Sequence, residues 1–173
     1  MHRYDALIVG AGPAGTAAAI TLARAGRDVL VLDKASFPRD KICGDGLTSL
    51  ALGLLEDLGL DPASVDNWEW AQECSVRSPS GRTIRFPLPR GQGHYAAVAP
   101  RIDLDAAMVD LARKAGATVA DGTPVASAAE TPAAVELEAT GLGTVSAPWA
   151  IAADGMWSPM RKYLGVAPEG YLG

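Results

Sequence analysis

The sequence predicts an α/β fold built on a parallel sheet, with a small antiparallel region inserted into it. Two short apolar runs, Ala6-Leu7-Ile8-Val9 and Val29-Leu30-Val31-Leu32, have no polar face and suit strands buried on both sides. Between them, Ala14 to Ala25 is rich in alanine and favours helix, and Gly26 stands where a helix stop is expected. A strand, a helix and a strand in that order imply a parallel pair with a right-handed crossover. Between about 70 and 100 the texture changes to short segments around turn residues, the pattern of antiparallel pairs.

The remaining elements follow in order. Residues 34 to 46 carry Lys34, Pro38, Arg39, Asp40, Lys41, Gly44 and Gly46 without periodicity and read as a loop. Leu47, Leu50, Leu54, Leu55 and Leu58 recur at helical spacing, which predicts a helix over 47–58 with one buried face. Ser75-Val76-Arg77 and Thr83-Ile84-Arg85-Phe86 flank Ser78-Pro79-Ser80-Gly81 and predict a hairpin. Tyr95 to Ala99 reads as a strand. Arg101 to Lys114 reads as a helix with Leu104, Met108, Leu111 and Ala115 on one face and Gly116 after its end. Thr118-Val119, Val125 to Ala129, Val135 to Glu138 and Thr144-Val145 are short strands between Gly, Pro and Thr. Trp149 to Ala153 is expected as a last buried strand. Asp154-Gly155 follows it, then a short helix with Ser158 as N-cap, Pro159 in its first position and Gly165 at its stop.

Composition narrows the function. The 173 residues are 49% apolar and 20% charged with a net charge of −5, the balance of a soluble globular protein. Lys and Arg form no stripe, so nucleic acid is not an expected partner, and the negative balance argues against a polybasic membrane anchor. Cys43 and Cys74 lie far apart in unlike contexts and offer neither a disulfide framework nor metal spacing, which points to a reducing cytoplasm. Cys74 is expected as a small core residue. Trp68 and Trp70 are expected to pack on the inserted region. His2 and His94 are too few and isolated for a metal site. The apolar start, Ala6 to Leu22, is broken by Gly10, Gly12, Pro13 and Gly15 and runs into a strand, unlike a signal peptide. No run approaches the roughly 18 apolar residues of a membrane helix.

The chemistry begins at Gly10-Ala11-Gly12-Pro13-Ala14-Gly15. In a glycine pattern of this spacing the first glycine makes a tight turn, the second lets backbone approach a pyrophosphate, and the third lets the helix pack close to the strand. The helix N-terminus then offers unpaired N–H groups and a positive dipole to phosphate. The pattern follows a strand and opens a helix, and Asp33 ends the second strand, where a carboxylate accepts adenosine ribose hydroxyls. The six residues and Asp33, with Lys34 beside it, are therefore candidate dinucleotide ligands. The negative charge of Asp33 disfavours a 2′-phosphate and leaves FAD or NAD rather than NADP.

The stretch Lys41-Ile42-Cys43-Gly44-Asp45-Gly46-Leu47 resembles the Cys-Gly loop of the geranylgeranyl reductase family, and its Cys-Gly-Asp-Gly-Leu-Thr form is most similar to that of the menaquinone reductases. These flavoproteins share the para-hydroxybenzoate hydroxylase type of Rossmann-like FAD-binding domain. The resemblance implies that FAD is the cofactor and that Cys43, Gly44 and Gly46 lie beside the flavin. It further implies that Arg101, at the start of its helix, contacts FAD. A cation at a helix N-terminus is unfavourable for the dipole, which also points to an anion nearby. Val125 would pass the adenine by its backbone, and Ala153-Asp154-Gly155 matches the Asp-Gly motif near the cofactor phosphates, with Ala152 where glycine is common.

The activity so implied is reduction of an isoprenoid double bond, with an isoprenoid or other lipid-like small molecule as substrate and NAD(P)H as an external reductant. The catalytic proton donor is not identified in the sequence. The resemblance makes residues 1–173 an FAD-binding domain forming the N-terminal part of a longer flavoenzyme, because a later Gly-Asp motif of the family is missing. Cytoplasmic placement is expected, with peripheral contact at the inner membrane surface through the missing C-terminal part. Two alternatives stand. One is an FAD-dependent monooxygenase of an aromatic or polyketide substrate, against which only the Cys-Gly loop counts. The other is an FAD-binding remnant without turnover.

Overall fold

A computed structural model of the protein describes residues 3–89, 93 and 95–165; His2 and His94 lie outside them. The chain divides into two units, Met1–Arg39 with Asp105–Gly173, and Asp40–Leu104.

The first unit is built on a parallel sheet. β1 (Ala6–Val9) leads through α1 (Pro13–Arg24) to β2 (Val29–Leu32), and every residue of both strands is buried, as their unbroken apolar runs require. After the second unit the chain forms most of the helix Arg101–Lys114, then a third parallel strand, Thr118–Ala120. Three antiparallel strands follow, Val125–Glu130, Val135–Ala139 and Gly143–Ala147, then Trp149–Ala152 and the short helix Pro159–Tyr163.

The second unit holds β3 (Gly46–Thr48), α2 (Ser49–Asp57), a 3-10 turn at Pro62–Ser64, β4 (Glu69–Trp70), the hairpin β5 (Glu73–Arg77) and β6 (Thr83–Pro87), and β7 (Ala96–Val98). In chain order the elements that follow are α3 (Arg101–Lys114), β8 (Thr118–Ala120), β9 (Val125–Glu130), β10 (Val135–Ala139), β11 (Gly143–Ala147), β12 (Trp149–Ala152) and α4 (Pro159–Tyr163).

The parallel sheet runs β12-β1-β2-β8. Leu7, Val9, Leu30 and Leu32 on one of its faces share a core with Leu137, Ala139, Val145 and Ala147 of the antiparallel sheet β11-β10-β9 and with Met160 of α4. Because β12 lies on one side of β1 and β2 on the other, the chain reverses direction across the sheet at β1. That is the place where open α/β sheets bind ligands, beyond the carboxyl ends of the strands.

In the second unit β3 and β4 both pair with β7, and β5 pairs with β6, all antiparallel. The inserted region is therefore wider than 70–100 and includes the Cys-Gly loop. Trp68 and Trp70 pack edge to face within it, 5.3 Å between centroids.

Several expectations are corrected. Leu47 belongs to β3, not to a helix; the helix starts at Ser49 behind the N-cap Thr48, whose hydroxyl accepts the Ala51 N–H at 3.4 Å. No residue of α2 is buried, and Leu50 and Leu54 are 73% and 56% exposed. Cys74 is exposed, because β5 and β6 form a two-stranded ribbon with nothing packed over the face carrying Cys74, Val76, Ile84 and Phe86 among the described residues. β12 is not a buried strand. It is the sheet edge, and Trp149 is 74% exposed. On α3 the buried set is Leu104, Asp105, Met108, Val109 and Ala112, with Leu111 only partly covered.

Candidate cofactor site

In the first unit the strand ends place the glycine motif, Asp33 and Asp154 on one edge of the sheet. The Gly10 N–H donates to the Leu32 carbonyl at 2.8 Å, and the Ala153 N–H donates to the Val9 carbonyl at 2.8 Å, so the ladder continues past the strands into all three loops. Gly10 has φ +103, and a Cβ on it would run into the Ala153 carbonyl and lie 3.0 Å from Asp154 Cα. A Cβ on Gly15 would run into the Gly10 carbonyl and meet Ala153 Cβ at 3.3 Å. These two glycines are required by the chain's own packing.

Gly12 is different. It is the N-cap of α1 with φ −75 and ψ −176, extended backbone open to any residue. It supplies no side-chain cap, Pro13 occupies the first helical position, and no carboxylate lies in the first turn. The first-turn amides therefore lack intrahelical acceptors and face a positive dipole end, an arrangement suited to an anion.

Asp33 follows β2. Its Oδ2 accepts the Ala11 N–H at 2.7 Å and its Oδ1 accepts the Ala35 N–H at 2.9 Å. The carboxylate thus ties the glycine turn to the end of β2. Each oxygen retains acceptor capacity for a ribose hydroxyl. Lys34 beside it is exposed. Asp154 Oδ2 accepts the Met160 N–H at 3.0 Å, while its Oδ1 is buried with no hydrogen-bond partner among the described residues. A buried, unpaired acceptor next to the glycine turn fits a ligand that brings a donor or an ordered water. Val125 opens β9, and its carbonyl accepts the Tyr163 hydroxyl at 3.4 Å.

In the second unit Cys43 is exposed, and Gly44 and Gly46 do not take positive φ. A Cβ on Gly44 would meet nothing within 4 Å, and one on Gly46 only the Gly44 carbonyl at 3.8 Å. Neither backbone conformation nor packing among the described residues calls for glycine here, which fits close approach by a ligand. Asp45 between them is left-handed, φ +56. Its Oδ1 accepts the Arg101 N–H at 3.3 Å, and its carbonyl accepts the Ala99 N–H at 3.0 Å. Asp45 was absent from the expected site. The anion wanted at this helix start is supplied in part by the chain itself, and an Asp between two glycines, a type that tolerates the left-handed region, was the available signal.

The Asp45 backbone N–H, then the Arg101 guanidinium and the Gly44 N–H, hold the Cys43 thiol below its ordinary range. Thiolate is therefore present at lower pH than for an ordinary cysteine, so the rate of alkylation by iodoacetamide should rise with a midpoint below that of free cysteine. Arg101→Ala should move the midpoint upward. An alkylation profile identical in the variant would show that the guanidinium does not act on the sulfur. Among the described residues no group of three or more His, Cys, Asp and Glu could hold a metal.

A parallel sheet with an uncapped glycine turn at its point of reversal and a carboxylate on the next strand defines a dinucleotide-binding protein. The chain belongs to the FAD binding domain family, which matches residues 3–172. It is 39% identical over 168 residues to a menaquinone reductase of Mycolicibacterium smegmatis, covering 94% of this chain and 40% of that protein. It is 35% identical over 176 residues to a digeranylgeranylglycerophospholipid reductase of Methanopyrus kandleri, covering 96% and 44%. A geranylgeranyl bacteriochlorophyll reductase-like structure from Thermoplasma acidophilum superposes with a TM-score of 0.82 at 25% identity, covering 100% of this chain and 44% of that one. The chain thus spans less than half the length of these relatives. FAD is the cofactor that the family binds, and the chain is a partial counterpart of FAD-dependent oxidoreductases.

Proposed function

We propose that this chain is the FAD-holding N-terminal part of an enzyme that reduces a carbon–carbon double bond in an isoprenoid, of the menaquinone or geranylgeranyl kind. The observation that carries the reading is the Cys43-Gly44-Asp45-Gly46-Leu47 loop, whose glycines no packing among the described residues explains. The similarity to reductases of isoprenoid substrates supports it.

In this reading the amides at the start of α1, with Gly12 and flanked by Gly10, Ala11, Pro13, Ala14 and Gly15, receive the pyrophosphate. Asp33 accepts the ribose hydroxyls with Lys34 at its side, Val125 passes the adenine by its backbone, and the free Oδ1 of Asp154 faces the phosphate region. Cys43, Gly44 and Gly46 lie against the flavin, and Arg101 contacts the cofactor. FAD, when bound, supplies the hydride, so reducing the alkene needs one proton besides. NAD(P)H is the proposed external reductant. No helix of the described residues is long and apolar enough to cross a membrane. A lipid substrate supports work at the surface of a membrane, the inner membrane in this reading.

The cofactor assignment is tested by denaturing the purified chain and separating the released nucleotide; FAD is expected, and nicotinamide nucleotide alone would overturn it. The reaction is tested anaerobically with the full-length protein, chemically reduced and mixed with a menaquinone. Flavin reoxidation matched by alkene loss is expected. Reaction only after oxygen is admitted, with a hydroxylated product, would assign a monooxygenase instead.

A further inference from the structure

Asp105 is a carboxylate with no solvent exposure on α3, and nothing in the proposed chemistry uses it. A buried carboxylate requires compensation. Asp105 has Arg39, whose Nη1 lies 2.9 Å from Asp105 Oδ2 with the guanidinium side chain only 18% exposed. The contact is ionic rather than an aligned hydrogen bond, since Nη1 meets no geometric acceptor. The guanidinium also lies 5.0 Å from the Phe37 ring centroid.

These contacts fall on a segment with no regular secondary structure. Between the end of β2 and the start of β3 the chain has no helix or strand. Residues 34–39 are held at a few points, all within the first unit. The Ala35 N–H donates to Asp33, the Ala35 carbonyl accepts the Gly122 N–H at 3.0 Å, and the Phe37 N–H donates to Asp121 Oδ2 at 3.0 Å. Asp121 is itself paired with Arg113 of α3 at 2.9 Å. Arg39 is the last of these anchors before the chain leaves the unit, and Asp105 is the first residue after it returns.

We propose that the Arg39–Asp105 pair is a positioning clasp for FAD binding: it fixes the path of residues 34–39 behind the ribose-binding Asp33, although neither residue touches the cofactor. The role rests on the FAD reading above. A buried ion pair contributes little net stability compared with apolar residues of similar size, but it accepts only a narrow geometry. Its value here is the definition of one path for a segment that has no ladder of its own.

The test uses the double variant Arg39→Met/Asp105→Leu, which removes both charges of the pair, and the milder Arg39→Lys. Two readouts are taken. Trypsin digestion of the cofactor-free chain reports the segment directly, because Lys34 and Lys41 flank the clasp. Flavin titration reports FAD affinity. In the double variant, cleavage after Lys34 and Lys41 should accelerate at least tenfold and FAD should bind about tenfold more weakly, with thermal unfolding little changed; Arg39→Lys should fall between. Wild-type cleavage and wild-type affinity in a folded double variant would overturn the clasp, as would faster cleavage with unchanged affinity. If the unaltered chain binds no FAD, the cofactor reading fails and the positioning role with it, while the cleavage result still reports whether the pair holds the segment.

Discussion

Replacing Gly12 with valine should weaken FAD binding by at least about 100-fold, roughly 2.7 kcal/mol, and leave a folded chain. The two halves of this expectation have separate causes. The fold survives because Gly12 sits at φ −75 and ψ −176, where a valine backbone is comfortable. Losing glycine as N-cap costs about 1 kcal/mol at most. Binding is lost because, in the proposed reading, the backbone of this N-cap position approaches the pyrophosphate closely and a side chain there obstructs it. Titration of the cofactor-free variant with FAD, beside its circular dichroism and melting curve, measures both. Undiminished affinity in a folded variant would reduce the motif to a packing turn.

The opposite outcome is expected at Gly15. Alanine there should destabilise the chain by about 3 kcal/mol, the upper range for overpacking, because its Cβ would run into the Gly10 carbonyl in the turn below. Backbone is on the receiving side, so no rotamer change relieves the clash, and Ala153 closes the other direction at 3.3 Å. A urea unfolding curve reports the loss as a lower midpoint at constant slope. An unchanged midpoint would show that α1 shifts outward freely. Gly10 and Gly15 are thus required by the fold, while the proposal gives Gly12 to the ligand.

Reading the residues succeeds where the causes are local. The βαβ unit was legible because its causes are local: two apolar runs too short and too uniform for anything but buried strands, an alanine-rich helix between them, and glycine at each turn. The hairpin at β5 and β6, the cap at Ser158 and the bounds of α3 were legible for the same reason. The glycine motif and Asp33 can be read as a candidate site because they occupy fixed offsets within one such unit.

What failed were statements about partners. Leu50 and Leu54 lie at helical spacing, and Cys74 alternates with polar neighbours, yet both faces are exposed, because periodicity records that a face is apolar and says nothing of what covers it. The burial of Asp105 is not legible within an amphipathic helix, because Arg39, which pairs with it, is far away in the chain. Asp45 reads in the sequence only as loop, while its left-handed backbone brings its carboxylate to the N–H of Arg101. Turn, strand and helix chemistry act over a few residues and are written in the order of the chain. Burial, edge position and charge pairing come from residues brought together by folding, and the three-dimensional arrangement assigns them.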